Sequence, residues 1–182
     1  LVHAAAGGTG LLCVQMAKRA GAMVIGTTSS EAKARAAREA GADHVINYAA
    51  SDFAEEARRL TGGRGVDLIL DSIGRKTVAP GLEALAPGGH LIMYGFASGS
   101  VKELNPMVLF NRGIKLSGMI LGRLMEDAAA NRRAAEELLG WVADGSVRVE
   151  IENVWPLEEA AEAHRAIESR KTSGKLLLRV SS

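Results

Sequence analysis

The chain has 182 residues, is 47% hydrophobic and 24% charged, and carries a formal net charge of +1, which suits one globular domain with a sizeable core. So even a charge balance excludes a general affinity for polyanions, so no nucleic-acid partner is expected, and the single cysteine, Cys13, excludes a disulfide framework or a cysteine-rich zinc site. No apolar run is long enough to span a bilayer and no signal peptide is visible, so a cytoplasmic protein without a membrane partner is expected.

The chain opens on a short apolar strand, Val2-His3-Ala4-Ala5-Ala6, that runs into Gly7-Gly8-Thr9-Gly10 and then into a helical pattern over residues 11–20. Closely spaced glycines between a strand and a helix let backbone approach a pyrophosphate, and the helix N-terminus offers it unpaired N–H groups. The spacing is that of the dinucleotide fingerprint with Ala5 in place of its first glycine. The same glycines would also suit a tight turn with no ligand. A second strand over residues 23–27 completes a βαβ unit. Ser30 reads as the N-cap of a helix over residues 31–40, which stops at Gly41. A third strand over residues 44–47 and a helix over 52–60 follow. The mostly apolar run 66–70 ends in Asp71 and reads as a strand covered on both faces. A helix near residues 77–85 stops before Pro87-Gly88-Gly89, a fifth strand spans 91–94, and residues 114–121 read as a sixth. Beyond them come an amphipathic helix over 127–143, a strand over 147–154, a helix over 157–168 after Pro156, and the apolar run Leu176-Leu177-Leu178 after Gly174. Regular β-α alternation with short loops predicts an α/β fold with a doubly wound parallel sheet in three α/β/α layers, a Rossmann-like dinucleotide-binding domain.

The second strand ends Thr27-Thr28-Ser29-Ser30, without the acid that in NAD enzymes takes the adenosine ribose; Glu31 lies beyond it. Lys33, three residues on, would place a charge on a phosphate held by the Ser29 and Ser30 hydroxyls, which points to NADP(H). Equally, Ser30 would be a helix cap and Lys33 an exposed lysine. Asp71-Ser72-Ile73-Gly74 and Gly95-Phe96-Ala97-Ser98-Gly99 follow the fourth and fifth strands, where open α/β sheets bind ligands, or they are polar turns. Tyr48 either stacks near the adenine or is a rim aromatic. His3, His44, His90 and His164 are too dispersed for a metal pair, so no metal is expected; His164 reads as an inward-facing structural residue beside Ala160 and Ile167, and Cys13 as a buried inert thiol. No side chain is assigned a catalytic role.

Taken together, these stretches, with Gly41-Ala42-Asp43-His44-Val45-Ile46-Asn47-Tyr48, Leu60-Thr61-Gly62-Gly63-Arg64-Gly65-Val66-Asp67, Leu85-Ala86-Pro87-Gly88-Gly89 and Thr172-Ser173-Gly174-Lys175, resemble the zinc-independent quinone oxidoreductase (zeta-crystallin-like) branch of the medium-chain dehydrogenase/reductase superfamily over nearly the whole chain. The resemblance implies a cofactor set of Gly7, Gly8, Thr9 and Gly10 at the pyrophosphate. Ser29, Ser30, Lys33 and Tyr48 would surround the adenosine 2′-phosphate, with Arg170 a further contact. Ser72, Gly95, Ala97 and Ser98 would lie toward the ribose and nicotinamide, and Ile120 and Leu121, ending the sixth strand, would flank the nicotinamide. The branch usually has Val at Thr9 and often Asn at Phe96, so no side-chain contact is carried over to Phe96.

The same resemblance implies one NADP-binding domain, residues 1–182, of an enzyme whose preceding barrel-like domain forms the other wall of the cleft. Residues 149–155 would run toward that wall, and a chain that begins inside its first strand reads as a fragment, inactive by itself. The implied reaction is NADPH-dependent hydride transfer to quinones or α,β-unsaturated carbonyls. Alternatives are an enoyl reductase module of a polyketide or fatty-acid synthase, a zinc alcohol dehydrogenase, and a non-catalytic NADPH-binding protein. A homodimer through residues 115–121 is expected, because this apolar edge strand leaves backbone groups unpaired and similar proteins associate there.

Overall fold

The computed structural model describes residues 1–180. Its first two-thirds follow the expected alternation: α1 (Gly8–Arg19), β1 (Ile25–Thr28), α2 (Glu31–Glu39), β2 (His44–Asn47), α3 (Phe53–Leu60), β3 (Val66–Asp71), α4 (Val78–Ala84), β4 (Leu85–Met93), α5 (Pro106–Arg112) and β5 (Lys115–Gly118). All pairings are parallel: β1 with β2, β3 with β4, and β4 with β5. Val2 bridges Gly26 on one side and Leu70 on the other, which joins the two sets of strands into one sheet of order β2-β1-Val2-β3-β4-β5.

Helices cover both faces. On one, Val14 of α1 and Ala37 of α2 pack with Val2, Ala5 and Val24. On the other, Phe53 and Ala57 of α3 and Val78 and Leu82 of α4 pack with Ile25, Ile69, Leu85 and Leu91. Each large side chain buried there contributes about 1.5–3 kcal/mol. Local signals start the helices where expected. Ser30 accepts a hydrogen bond from Lys33 N and caps α2, and Asp52 accepts from Ala54 N and Glu55 N and caps α3.

Several boundaries differ from the sequence reading. The first strand shrinks to the Val2 bridge, because Ala4 takes a left-handed φ of 50° and the chain turns at once toward α1. The fourth strand, expected to be covered on both faces, exposes Asp67 and Leu68 at its start. The fifth strand begins at Leu85, since Pro87-Gly88-Gly89 forms a bulge inside β4 rather than a turn before it: Val66 pairs with Leu85, and Leu68 already with His90. The sixth strand ends at Gly118, after which Leu121–Leu124 forms the short helix α6. Helix α5 is an addition to the expected elements: Asn105 caps it at Met107 N (3.0 Å), Pro106 starts it and Gly113, at φ 60°, ends it.

The remaining third comprises α7 (Ala128–Ala143), β6 (Ile151–Pro156), a 3₁₀ turn (Leu157–Glu159), α8 (Ala160–Glu168) and β7 (Lys175–Arg179). Strands β6 and β7 form a separate parallel pair. The strand starts four residues later than expected because Val147 is buried and its N–H donates to Trp141 O (2.9 Å) at the end of α7. The inward residue of α8 is Ala163, whereas His164 is exposed, so the expected inner face is turned by one position.

Candidate functional site

The glycine turn is packed to contact. A Cβ on Gly10 would lie 2.2 Å from Ala4 O, and one on Gly26 would lie 2.8 Å from Ala5 Cβ. Glycine at these two places lets α1 seat directly on β1. Gly7 is the N-cap of α1 in extended conformation and supplies no side-chain acceptor. The N–H groups of Gly8, Thr9 and Gly10 therefore have no acceptor within the helix, and the positive dipole end of a twelve-residue helix stays uncapped. At Gly8 the crowding comes from the chain itself: Gly174 O and the Lys175 stem would lie 3.0 and 2.7 Å from its Cβ. Gly174 N donates to Ala6 O (2.9 Å), so the start of β7 is docked on the turn.

Beside the turn, at the carboxyl end of β1, the structure gathers residues far apart in sequence. Lys33 Nζ donates to the Arg170 carbonyl at 2.6 Å, across 137 residues. Arg170 holds a left-handed φ of 58° there. Ser29 and Ser30 are half-buried, and Tyr48 N donates to Thr28 O (3.0 Å), which brings Tyr48 to the same edge with its ring exposed. Ser30 is a cap, but Lys33 is more than a surface lysine: it is aimed across the edge at Arg170. Glu31, the first acid in sequence after β1, is paired with Arg38 (2.6 Å), whose hydrogen bond and charge hold the carboxyl below its ordinary range.

The loops after β3 and β4 are stitched together. Tyr94 N donates to Asp71 O (2.8 Å), Ala97 N to Ser72 O (3.1 Å), Ser98 N to Ile73 O (2.8 Å) and Arg75 N to Gly99 O (3.0 Å). This unites Ser72, Gly95, Ala97 and Ser98 on one ledge. Gly95 permits it, since a Cβ there would lie 2.9 Å from Ser72 O. The Ser98 hydroxyl is spent within the ledge, donating to Ile73 O (2.8 Å) and accepting from Lys76 N (3.0 Å). Ile120 and Leu121 do not end the sixth strand. Met119 N is tied to Met93 O (2.8 Å), and both residues lie beyond it with exposed side chains, Ile120 capping α6 and Leu121 beginning it.

Three groups under the ledge make contacts that no local pattern announces. Asp71 is wholly buried as an acceptor for the turn after β3. The Tyr94 phenol is pushed up to about 12, chiefly by burial, with Cys13 as a neighbour, and burial raises the Cys13 thiol as well. His3 is buried edge-on to Phe53 with Nδ1 at 2.9 Å from Thr27 Oγ1, and desolvation pushes it down to about 4. A cavity of about 520 Å³ lies elsewhere, between α1, α2 and the chain leading into β6, lined by Gln15, Glu39, Arg148, Glu150 and Gly174; none of the expected site residues lines it. Among the described residues no group of three or more His, Cys, Asp or Glu side chains is placed to hold a metal ion.

Residues 8–143 match the family described as zinc-binding dehydrogenase. The chain belongs to this family. It is 40% identical to the 2-haloacrylate reductase of a Burkholderia species and 38% identical to a quinone oxidoreductase of Pseudomonas aeruginosa, each match covering 98% of this chain and 54% or 55% of the relative. A crystal structure of Escherichia coli quinone oxidoreductase complexed with NADPH superposes with a TM-score of 0.92 at 36% identity, over 98% of this chain and 56% of that one. The chain thus spans about half the length of the relatives it matches. Its membership of the medium-chain dehydrogenase/reductase superfamily, in the cofactor-binding part and beside the quinone oxidoreductases, agrees with the motif reading, as does the Rossmann-like fold.

Proposed function

We propose that this chain is the NADP(H)-binding domain of an oxidoreductase that delivers hydride to quinones or other α,β-unsaturated carbonyls. The observation that carries the reading is the pairing of Lys33 with the Arg170 carbonyl at the Ser30-capped edge, with Glu31 turned onto Arg38. Together these put the Lys33 ammonium beside the Ser30 cap with Glu31 drawn away onto Arg38, the chemistry a 2′-phosphate demands and a ribose diol does not. The uncapped N-terminus of α1 suits the pyrophosphate, and the ledge of Ser72, Gly95, Ala97 and Ser98 suits the nicotinamide half. The resemblance extends the set to Ile120 and Leu121. Bound there, the nicotinamide supplies the hydride. The chain's own part is to hold it: N–H groups toward phosphate, Lys33 and Ser29 toward the 2′-phosphate, and a stitched ledge that keeps the ring from turning.

Substrate contacts belong to the rest of the cleft, a preceding barrel-like domain, so residues 1–182 by themselves form a single cofactor-binding unit without turnover. No helix among the described residues is long and apolar enough to cross a membrane, in keeping with a cytoplasmic enzyme. A homodimer through β5 belongs to the same proposal. Among the described strands β5 pairs with β4 alone, and the exposed Met119 continues its edge; Met119→Lys should convert dimers to monomers in sedimentation.

Titration of NADPH and NADH against the unmodified chain and Lys33→Ala tests the cofactor reading. NADPH should bind more tightly than NADH, and the substitution should weaken NADPH by about 1–3 kcal/mol, the scale of a charge-assisted hydrogen bond, while leaving NADH nearly unchanged. Equal losses for the two nucleotides would overturn the phosphate role of Lys33.

A further inference from the structure

The ledge that unites Ser72, Gly95, Ala97 and Ser98 hangs from one carboxylate that faces no ligand. Asp71 ends β3 with no exposed surface. Its Oδ1 accepts from Ile73 N at 2.6 Å and Gly74 N at 3.0 Å, and its Oδ2 accepts from Thr77 Oγ1 at 2.7 Å. These bonds close the turn 72–77 on itself. Gly74 takes a φ of 85° there, and a Cβ on it would lie 2.8 Å from Gly99 O and 3.1 Å from Phe96 Cα. The turn therefore presses directly on the loop after β4, and the four backbone bonds between the two segments transmit its shape. Removing this acceptor strands the Ile73 and Gly74 N–H groups at once and leaves the Thr77 hydroxyl only its longer bond to Gly74 O (3.2 Å).

The other end of the crevice is anchored differently. Ser30, Lys33, Arg170 and Tyr48 are tied through the α2 cap, the Lys33–Arg170 bond and the Tyr48–Thr28 bond. None of those bonds involves residues 71–77 or 94–99.

We propose that Asp71, assisted by Thr77, is a positioning residue for the nicotinamide half of the cofactor site: it fixes the backbone of Ser72 to Gly74 and, through it, that of Gly95 to Ser98, while the adenosine half stands independently. This rests on the NADP(H) reading above. The two halves can be probed apart, because 2′,5′-ADP carries the adenosine and its 2′-phosphate without the nicotinamide.

The test titrates 2′,5′-ADP and NADPH against the unmodified chain, Asp71→Ala, Asp71→Asn and Thr77→Val, and reads the nicotinamide fluorescence of bound NADPH. Asp71→Ala should keep 2′,5′-ADP affinity within twofold, lose about tenfold or more in NADPH affinity, and lose the fluorescence enhancement. Asp71→Asn retains an acceptor toward Ile73 and Gly74 and should restore most of both. Thr77→Val should lose about threefold for NADPH and nothing for 2′,5′-ADP; it decides the matter if Asp71→Ala does not fold. Equal losses for both ligands, or NADPH binding unchanged in folded Asp71→Ala and Thr77→Val, would overturn the inference. An unmodified chain that binds 2′,5′-ADP but shows no extra affinity for NADPH would overturn it too. Failure to bind either ligand would overturn the NADP(H) reading itself, and this inference with it.

Discussion

Helices α1 to α4 each bury two or more residues against the main sheet, whereas α7 buries none and β6 keeps only Trp155 partly covered. The first region is held by close packing, the second by separate docking points. Gln15 of α1 exchanges two hydrogen bonds with the Arg148 backbone (2.9 and 2.7 Å), and Arg19 stacks over Trp141 at 4.7 Å. Gly174 is bonded to Ala6, and Arg170 to Lys33. The lesson is a division of labour. The packed region supplies the glycine turn, the caps and the ledge, while the docked region reaches them through the Arg170 carbonyl at Lys33 and the Gly174 N–H at Ala6 O.

That comparison is broken most forcefully at Gly10. Gly10→Ala should cost about 3 kcal/mol or more, because its Cβ would fall 2.2 Å from Ala4 O and neither backbone can yield without lifting α1 off the sheet. Urea denaturation measures it, and a loss below about 1 kcal/mol would mean the turn is looser than the packed region requires.

His3 gives the next effect, read by pH. Its imidazole is buried neutral, pushed from 6.5 down to about 4 mainly by desolvation, with Asp71 opposing the shift. As pH falls below 6.5 the unfolded chain takes up the proton first, so stability is full above 6.5, declines through the window, and the loss is complete below about 4. The loss should be roughly 3 kcal/mol. In His3→Gln the part of the acid slope between 6.5 and 4 should disappear; an unchanged slope would assign it to other groups.

The smallest effect belongs to the docked region. Leu139 of α7 is 66% exposed, so Leu139→Ala should shift stability by less than about 0.5 kcal/mol. A cost comparable to that of a buried leucine, about 2–5 kcal/mol, would show that α7 is packed as tightly as α1 to α4.

Legibility follows the same divide. In the packed region periodicity and caps act locally, so β2 fell at residues 44–47 as read, and α3 started just after Asp52, the residue that caps it. The candidate residues were legible as loops at strand ends, because a parallel sheet sends every strand's carboxyl end to one side. Their partners were not. Nothing local announces that Lys33 meets Arg170, or that Asp71 faces inward to hold a turn rather than outward to a ligand. The bulge at Pro87-Gly88-Gly89 misled for a related reason: glycine and proline signal a break in regular backbone, and only the facing strand decides whether that break is a turn or a bulge.

The sequence by itself determined the α/β alternation, the glycine turn, the missing acid after β1 and the family, since each of these is written in residues close together along the chain. The tertiary structure alone decided which distant segments meet. The Lys33–Arg170 bond, the stitched ledge on Asp71, the docking of β7 on the glycine turn and the end of β5 at Gly118 all depend on contacts between segments that only close packing of the whole sheet brings within hydrogen-bonding reach.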